Sequence, residues 1–204
     1  MRLMLAIAAL SSVCSAQTLT YTFTGVVSGG SPMQGPFADF DLGDAFMATV
    51  GFDPSNPAFD EPGSRNWDDD AIVSYTLEID GQVFDLMTLN GGARFRGAEV
   101  EDNSLVEGDD HDYFGLYVSV PFVGVINARF ETFGAIGSDI ESLSGTDAPT
   151  AMELDPSRWG SADMIMGTGS ANRLVGTIQS VTVVPGSSTA LALSAGLLGT
   201  RRRR

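Results

Sequence analysis

Residues 18–27 alternate without a break, with Leu19, Tyr21 and Phe23 on one side and Thr18, Thr20, Thr22 and Thr24 on the other. A two-residue period sends successive side chains to opposite faces, so this segment reads as a strand with one buried face. The period returns in residues 45–53 at Phe46, Ala48, Val50 and Phe52, and again at Val73, Tyr75, Leu77 and Ile79. Asp80-Gly81 follows at once, then Val83-Phe84. An Asp-Gly pair between two such runs predicts a two-residue hairpin, because both turn positions need positive φ. Residues 93–100, 114–120, 123–130 and 174–184 read as further strands. Residues 29–36 and 53–70 read as loops, the second holding Pro54, Pro57 and Pro62. Only residues 139–143 and 156–159 suggest short helical turns.

Seven or more short strands with frequent turn residues and almost no helix predict an all-β fold, an antiparallel β-sandwich. A jelly roll or small barrel fits the same pattern. No internal repeat points to a solenoid or propeller.

The two ends differ from the body. Arg2 precedes an apolar run, and Val13-Cys14-Ser15-Ala16 supplies small residues beyond it. This predicts a secretory signal peptide over 1–16, cleaved before Gln17. An N-terminal anchor, or lipidation at Cys14, is the competing reading. The other end carries Pro185-Gly186-Ser187, an apolar run over 189–198, and Arg201, Arg202, Arg203 and Arg204. A helix of about a dozen residues reaches roughly 18 Å, short of the ~30 Å hydrocarbon core. Such a tail embeds transiently, and its arginines stay cytoplasmic. The expected organisation is therefore a signal peptide (1–16), a β-sandwich domain (17–184) and a C-terminal sorting signal (185–204).

Between those ends the chain has no lysine, and six arginines stand against all 26 acidic residues, a net charge of −20. Nucleic-acid phosphates would be repelled. Cys14 is the only cysteine and leaves with the leader, so the domain has no disulfide and no thiol nucleophile.

Export leader, acidic strand-rich domain, Val183-Val184-Pro185, short apolar run and arginine cluster together resemble the bacterial PEP-CTERM proteins. Gly186 and Ser187 stand where that family has the Glu and second Pro of its Pro-Glu-Pro motif, so the tail is a divergent one. Three domain segments are also similar to those joined to such tails: Gly51-Phe52-Asp53-Pro54, residues 74–81, and Ser138-Asp139 with Asp147-Ala148-Pro149-Thr150. The resemblance implies handling by a membrane exosortase. It also implies a secreted, cell-surface or extracellular-matrix protein, often beside exopolysaccharide. It implies no reaction.

The residues themselves offer little catalysis. His111 is the only histidine, and it stands in Glu107-Gly108-Asp109-Asp110-His111-Asp112, which reads as an exposed turn. Any Ser-His-Asp triad would have to use it, and no Gly-x-Ser-x-Gly elbow is present. Gly167-Thr168-Gly169-Ser170 lacks the third glycine of a dinucleotide loop and reads as a turn. The expectation is a non-enzymatic protein, with a secreted hydrolase using loop carboxylates as the catalytic rival.

Three acidic groups stand out: Asp68, Asp69 and Asp70; Asp109, Asp110 and Asp112; and Asp39, Asp41 and Asp44. Calcium takes six to eight oxygen ligands, which adjacent loop carboxylates can supply. The first two groups are the calcium candidates, against the simpler reading of solvated loops; none has EF-hand spacing. Trp67 and Trp159 lie in polar stretches, where a ring either stacks on a sugar or closes the core. A calcium- or carbohydrate-binding module acting on exopolysaccharide is the alternative function.

Overall fold

The computed structural model describes residues 18–31, 35–106, 109–134, 142–168 and 172–186. The signal peptide, the tail from Ser187 onward, residues 139–141 of the first helical turn, and Glu107, Gly108, Gly169 and Ser170 lie outside the described residues.

Eleven strands are described: β1 (Leu19–Gly30), β2 (Ala45–Phe52), β3 (Phe59–Glu61), β4 (Ser64–Trp67), β5 (Ile72–Ile79), β6 (Gln82–Asp85), β7 (Phe95–Val106), β8 (Asp109–Val120), β9 (Gly124–Gly134), β10 (Ser161–Thr168) and β11 (Asn172–Pro185). They form one antiparallel sheet in the order β3-β4-β7-β8-β9-β10-β11-β1-β2-β5-β6. The all-β antiparallel expectation holds. Helix is limited, among the described residues, to single 3₁₀ turns at Gly35–Phe37, Leu89–Gly91 and Pro156–Arg158. The last of these falls on the helical turn expected at 156–159.

The sheet curls so that its two halves face one another across a single core. Tyr21 on β1 meets Phe114 on β8 with ring centroids 5.6 Å apart, and Phe23 meets Phe130 on β9 at 6.0 Å. Tyr75 on β5 reaches Met164 on β10, its hydroxyl 3.6 Å from the sulfur. This is the face-to-face packing of a sandwich with the hydrogen-bonding ladder kept continuous. β-bulges between Thr24 and Gly25 and between Val27 and Gly29 bend the β1–β11 ladder, as bulges do where a sheet turns. Each fully buried large side chain contributes about 1.5–3 kcal/mol, and Tyr21, Phe23, Phe52, Trp67, Phe114 and Phe130 are all below 2% exposed.

The Asp-Gly hairpin forms as expected, with Ile79 paired to Gln82 and φ at +46° for Asp80 and +76° for Gly81. Two expectations are corrected. The loop expected over 53–70 contains the β3–β4 hairpin, in which Phe59 pairs with Asn66 and Ser64 with Glu61. The strand β10 falls where only a turn was expected at its end, and Met164 and Met166 carry its buried face.

Residues 142–160 close one end of the core. Pro149 accepts a hydrogen bond from the buried Tyr21 hydroxyl at 2.9 Å, and Trp159 packs edge-on against Phe130 at 5.5 Å. Glu153 accepts from both the amide and the hydroxyl of Thr150 at 2.8 Å, and from the Ser144 hydroxyl. Asp147 pairs with Arg65, whose guanidinium also binds Asp60 at 3.0 Å. The Asp147-Ala148-Pro149-Thr150 segment thus ties this loop to β1 and β4.

Candidate functional site

The core takes one face of every central strand, and the chemistry gathers on the other. On β8 the residues Phe114, Leu116, Val118 and Val120 point inward. Alternation then sends His111, Tyr113, Gly115 and Tyr117 outward. The ladder aligns neighbours with them. Tyr113 pairs with Glu101 on β7 and Glu131 on β9, Gly115 with Glu99 and Arg129, and Tyr117 with Gly97 and Asn127. Beyond these, Asn66 pairs with Glu99, and Asp163 with Arg129.

His111 is therefore no solvated turn residue. Its side chain is 7% exposed, with Nδ1 2.9 Å from Glu101 Oε2 and Nε2 3.3 Å from Glu131 Oε1. The Nδ1–Glu101 contact is a hydrogen bond, whereas Nε2 meets Glu131 only as a close approach. The ring lies 5.8 Å from that of Tyr113. Glu131 also meets Arg129 at 3.4 Å, and Arg129 reaches Asp163 at 4.0 Å. The turn expected around His111 was misplaced because the polar residues 109–112 look like a loop, whereas they begin a strand.

Electrostatics on this face follow from crowding. Burial pushes the Glu99 carboxyl above its ordinary range, and the like charge of Glu101 adds to the effect. His111 and a hydrogen bond with Asn66 offset part of it. Burial also raises the Tyr113 and Tyr117 hydroxyls; Glu99, Asp68 and Asp69 push Tyr117 further. Glycine shapes the surface. A β-carbon at Gly115 would sit 2.8 Å from Tyr113 Cζ, and one at Gly97 2.8 Å from Tyr117 Cζ. The Tyr117 ring reclines across the sheet over Gly97 of the neighbouring strand, and the Tyr113 ring lies along its own strand over Gly115.

The calcium candidates separate. Asp109 and Asp110 belong to β8, and their side chains lie outside the described residues. Asp112 is fully buried, and its carboxylate accepts the amides of Ser142 at 3.1 Å and Leu143 at 3.2 Å. Asp68, Asp69 and Asp70 line an open hollow of about 310 Å³ with Asp53, Ser55 and Asn56. There Arg96 supplies the positive charge: its amide donates to Asp69 Oδ1 at 2.9 Å, its Nε to the Asp69 carbonyl, and Nη2 lies 3.9 Å from Asp70. Among the described residues no three His, Cys, Asp or Glu side chains group as metal ligands.

The tryptophans close the core. Trp67 is 1% exposed, edge-on to Phe52 at 5.1 Å, and donates to the Pro54 carbonyl at 3.1 Å. Trp159 is 8% exposed and donates to the Glu153 carbonyl at 2.8 Å. Neither ring is open to a sugar.

No family model, no curated protein and no solved structure matches this chain.

The outward face of β7, β8 and β9 is thus the richest array of functional groups described. Sequence reading missed it because Glu99, Glu101, Tyr113 and Tyr117 look like the polar halves of ordinary alternating strands. The usable signal was glycine beside tyrosine, two residues on in the same run for Tyr113 and Gly115, and in the preceding run for Tyr117 and Gly97.

Proposed function

We propose that the chain is an exported, non-enzymatic β-domain of the cell surface or surrounding matrix, carried out by its leader and sorted through its tail by membrane machinery. One observation carries this reading. The first and last described strands in chain order, β1 and β11, pair with each other to their outer ends, with Leu19 opposite Pro185. Beyond that pair the Gly186 amide donates to the Thr18 carbonyl at 2.5 Å. The described residues nearest to the expected leader and tail, Thr18 and Gly186, therefore lie side by side at one end of the β1–β11 ladder. Loss of the leader, or of the tail beyond Gly186, would leave the described ladder and its core in place. A domain charge of −20 suits a body that stays soluble after release.

The test is mass spectrometry of the mature protein from cell envelope and culture medium. The expected product starts at Gln17 and lacks the arginine cluster. A protein found in the cytosol with residues 1–16 attached overturns the reading.

A further inference from the structure

The outward face of β7–β9 carries two features that belong together. The Tyr113 and Tyr117 rings recline over Gly115 and Gly97, each partly exposed. Between them, one row of cross-strand neighbours runs Asn66, Glu99, Gly115, Arg129 and Asp163. Gly115 contributes no side chain and the Tyr113 ring covers it, so the row offers donors and acceptors on either side of that ring, with the Tyr117 ring beside it over Gly97.

We propose that this face binds a neutral polysaccharide chain, with Tyr113 and Tyr117 as stacking surfaces and Glu99 and Arg129 as hydrogen-bonding groups. A pyranose ring presents an apolar face of C–H groups and a rim of hydroxyls that both donate and accept. Aromatic rings lying along a surface match the first, and an amide, a guanidinium and carboxylates match the second. The central strands already pair on both sides, so a peptide cannot add there as an extra strand, and recognition must come from side chains. Charge decides between polymer types. Glu99, Glu101, Glu131 and Asp163 share this face, and the whole domain carries −20, so an acidic polymer is repelled. Arg129 and His111 occupy the positions a cationic polymer would need to approach Glu131 and Glu101. From Tyr113 to Tyr117 the face spans about 14 Å at ~3.4 Å per residue, which suits an extended chain better than a single sugar.

This proposal takes up the carbohydrate alternative and is independent of export: binding is read on the purified protein, whatever its location. The experiment is affinity electrophoresis of the full chain in gels containing dextran, hydroxyethyl cellulose, alginate or chitosan. Retardation by at least one of the two neutral glucans, stronger than by alginate or chitosan, is expected. Tyr117→Ala should weaken it about tenfold, the upper range for one aromatic contact, while Tyr117→Phe should retain it. Glu99→Gln, which keeps the shape, should alter affinity less than Tyr117→Ala. Circular dichroism and thermal melting establish that each variant is folded. The proposal is overturned if neither neutral glucan retards the protein, if a charged polymer is preferred, or if folded Tyr117→Ala binds as the wild type does.

Discussion

The buried carboxylate of Asp112 accepts the backbone amide of Leu143 at 3.2 Å, joining β8 to a loop 31 residues further along the chain. It also takes the amide of Ser142 at 3.1 Å. An acceptor-only side chain serving two buried N–H groups is a structural clasp. Asp112→Ala leaves both donors without their partner, at a cost of about 1–3 kcal/mol each. The expected loss, read by urea denaturation, is about 2–6 kcal/mol. Asp112→Asn keeps one accepting oxygen and should cost less. An Asp112→Ala protein as stable as the wild type would show that the clasp contributes nothing.

The same loop is held from the other side by Tyr21, whose hydroxyl donates to Pro149 at 2.9 Å across 128 residues of sequence. Burial raises that hydroxyl well above the usual tyrosine range, so it stays a donor throughout the accessible pH range. Tyr21→Phe keeps the ring packing and strands a carbonyl. It should lower stability by about 1–2 kcal/mol, or roughly 2–8 °C in Tm for a domain of this size.

These two contacts mark how far the sequence was legible. The alternation of Leu19, Tyr21 and Phe23 announces a strand and its buried side, because period two is local information. Asp80-Gly81 announces its hairpin for the same reason. β3 and β4 were hidden because Phe59–Glu61 and Ser64–Trp67 are too short for a period and are broken by Pro62. His111 and Asp112 look like loop residues in the sequence because burial of a polar group depends on partners brought from elsewhere: Glu101, Glu131, Ser142 and Leu143. No local pattern encodes those meetings. The outward face was visible only as polarity until the register set Tyr117 opposite Gly97 and Glu99 opposite Gly115.

Two glutamates should give opposite pH responses. Burial first, and then Glu101, raises Glu99, so the folded state binds this proton more tightly than the unfolded chain. Its contribution is most favourable below the unfolded pKa and is lost as pH rises through the folded one. Glu153 is the reverse. Burial alone would raise it, but hydrogen bonds from Ser144 and Thr150 more than offset that and hold it below its ordinary value. Its contribution is present above the unfolded pKa and fades as pH falls through the folded one. Glu99→Gln should therefore stabilise at pH 7 and gain nothing at pH 4. Glu153→Gln should destabilise at pH 7, with the loss shrinking in acid. Denaturant titrations at both pH values check the pair, and equal effects at pH 4 and 7 would refute the assignment.

Asp69 and Asp70 supply a test of calcium. Arg96 already engages the Asp69 carboxylate and carbonyl and lies 3.9 Å from Asp70. A site with Kd tenfold below the added calcium would raise stability by about 1.4 kcal/mol, or roughly 3–5 °C in Tm. The expected wild-type response to millimolar calcium is no such rise. Arg96→Ala removes the competing charge and should lose no more than about 1 kcal/mol, since the pair is exposed. A calcium-dependent rise in wild-type Tm would assign the hollow to the ion instead.

Phe122 occupies a position ill suited to it. In the β8–β9 turn, Pro121 precedes it, the Val123 amide donates to the Val120 carbonyl at 3.2 Å, and Phe122 has φ of +63°. Turns with proline second and positive φ third favour glycine or asparagine in that third place. A bulky residue there stores about 1–3 kcal/mol of strain. Packing does not offset it, because Phe122 is 93% exposed. Phe122→Asn should therefore stabilise the protein by about 0.5–1 kcal/mol, and Phe122→Gly by less, because glycine adds freedom to the unfolded chain. Urea unfolding of the two variants against the wild type measures both differences. A loss of stability in Phe122→Asn would mean that the ring makes a contact worth more than the strain it carries.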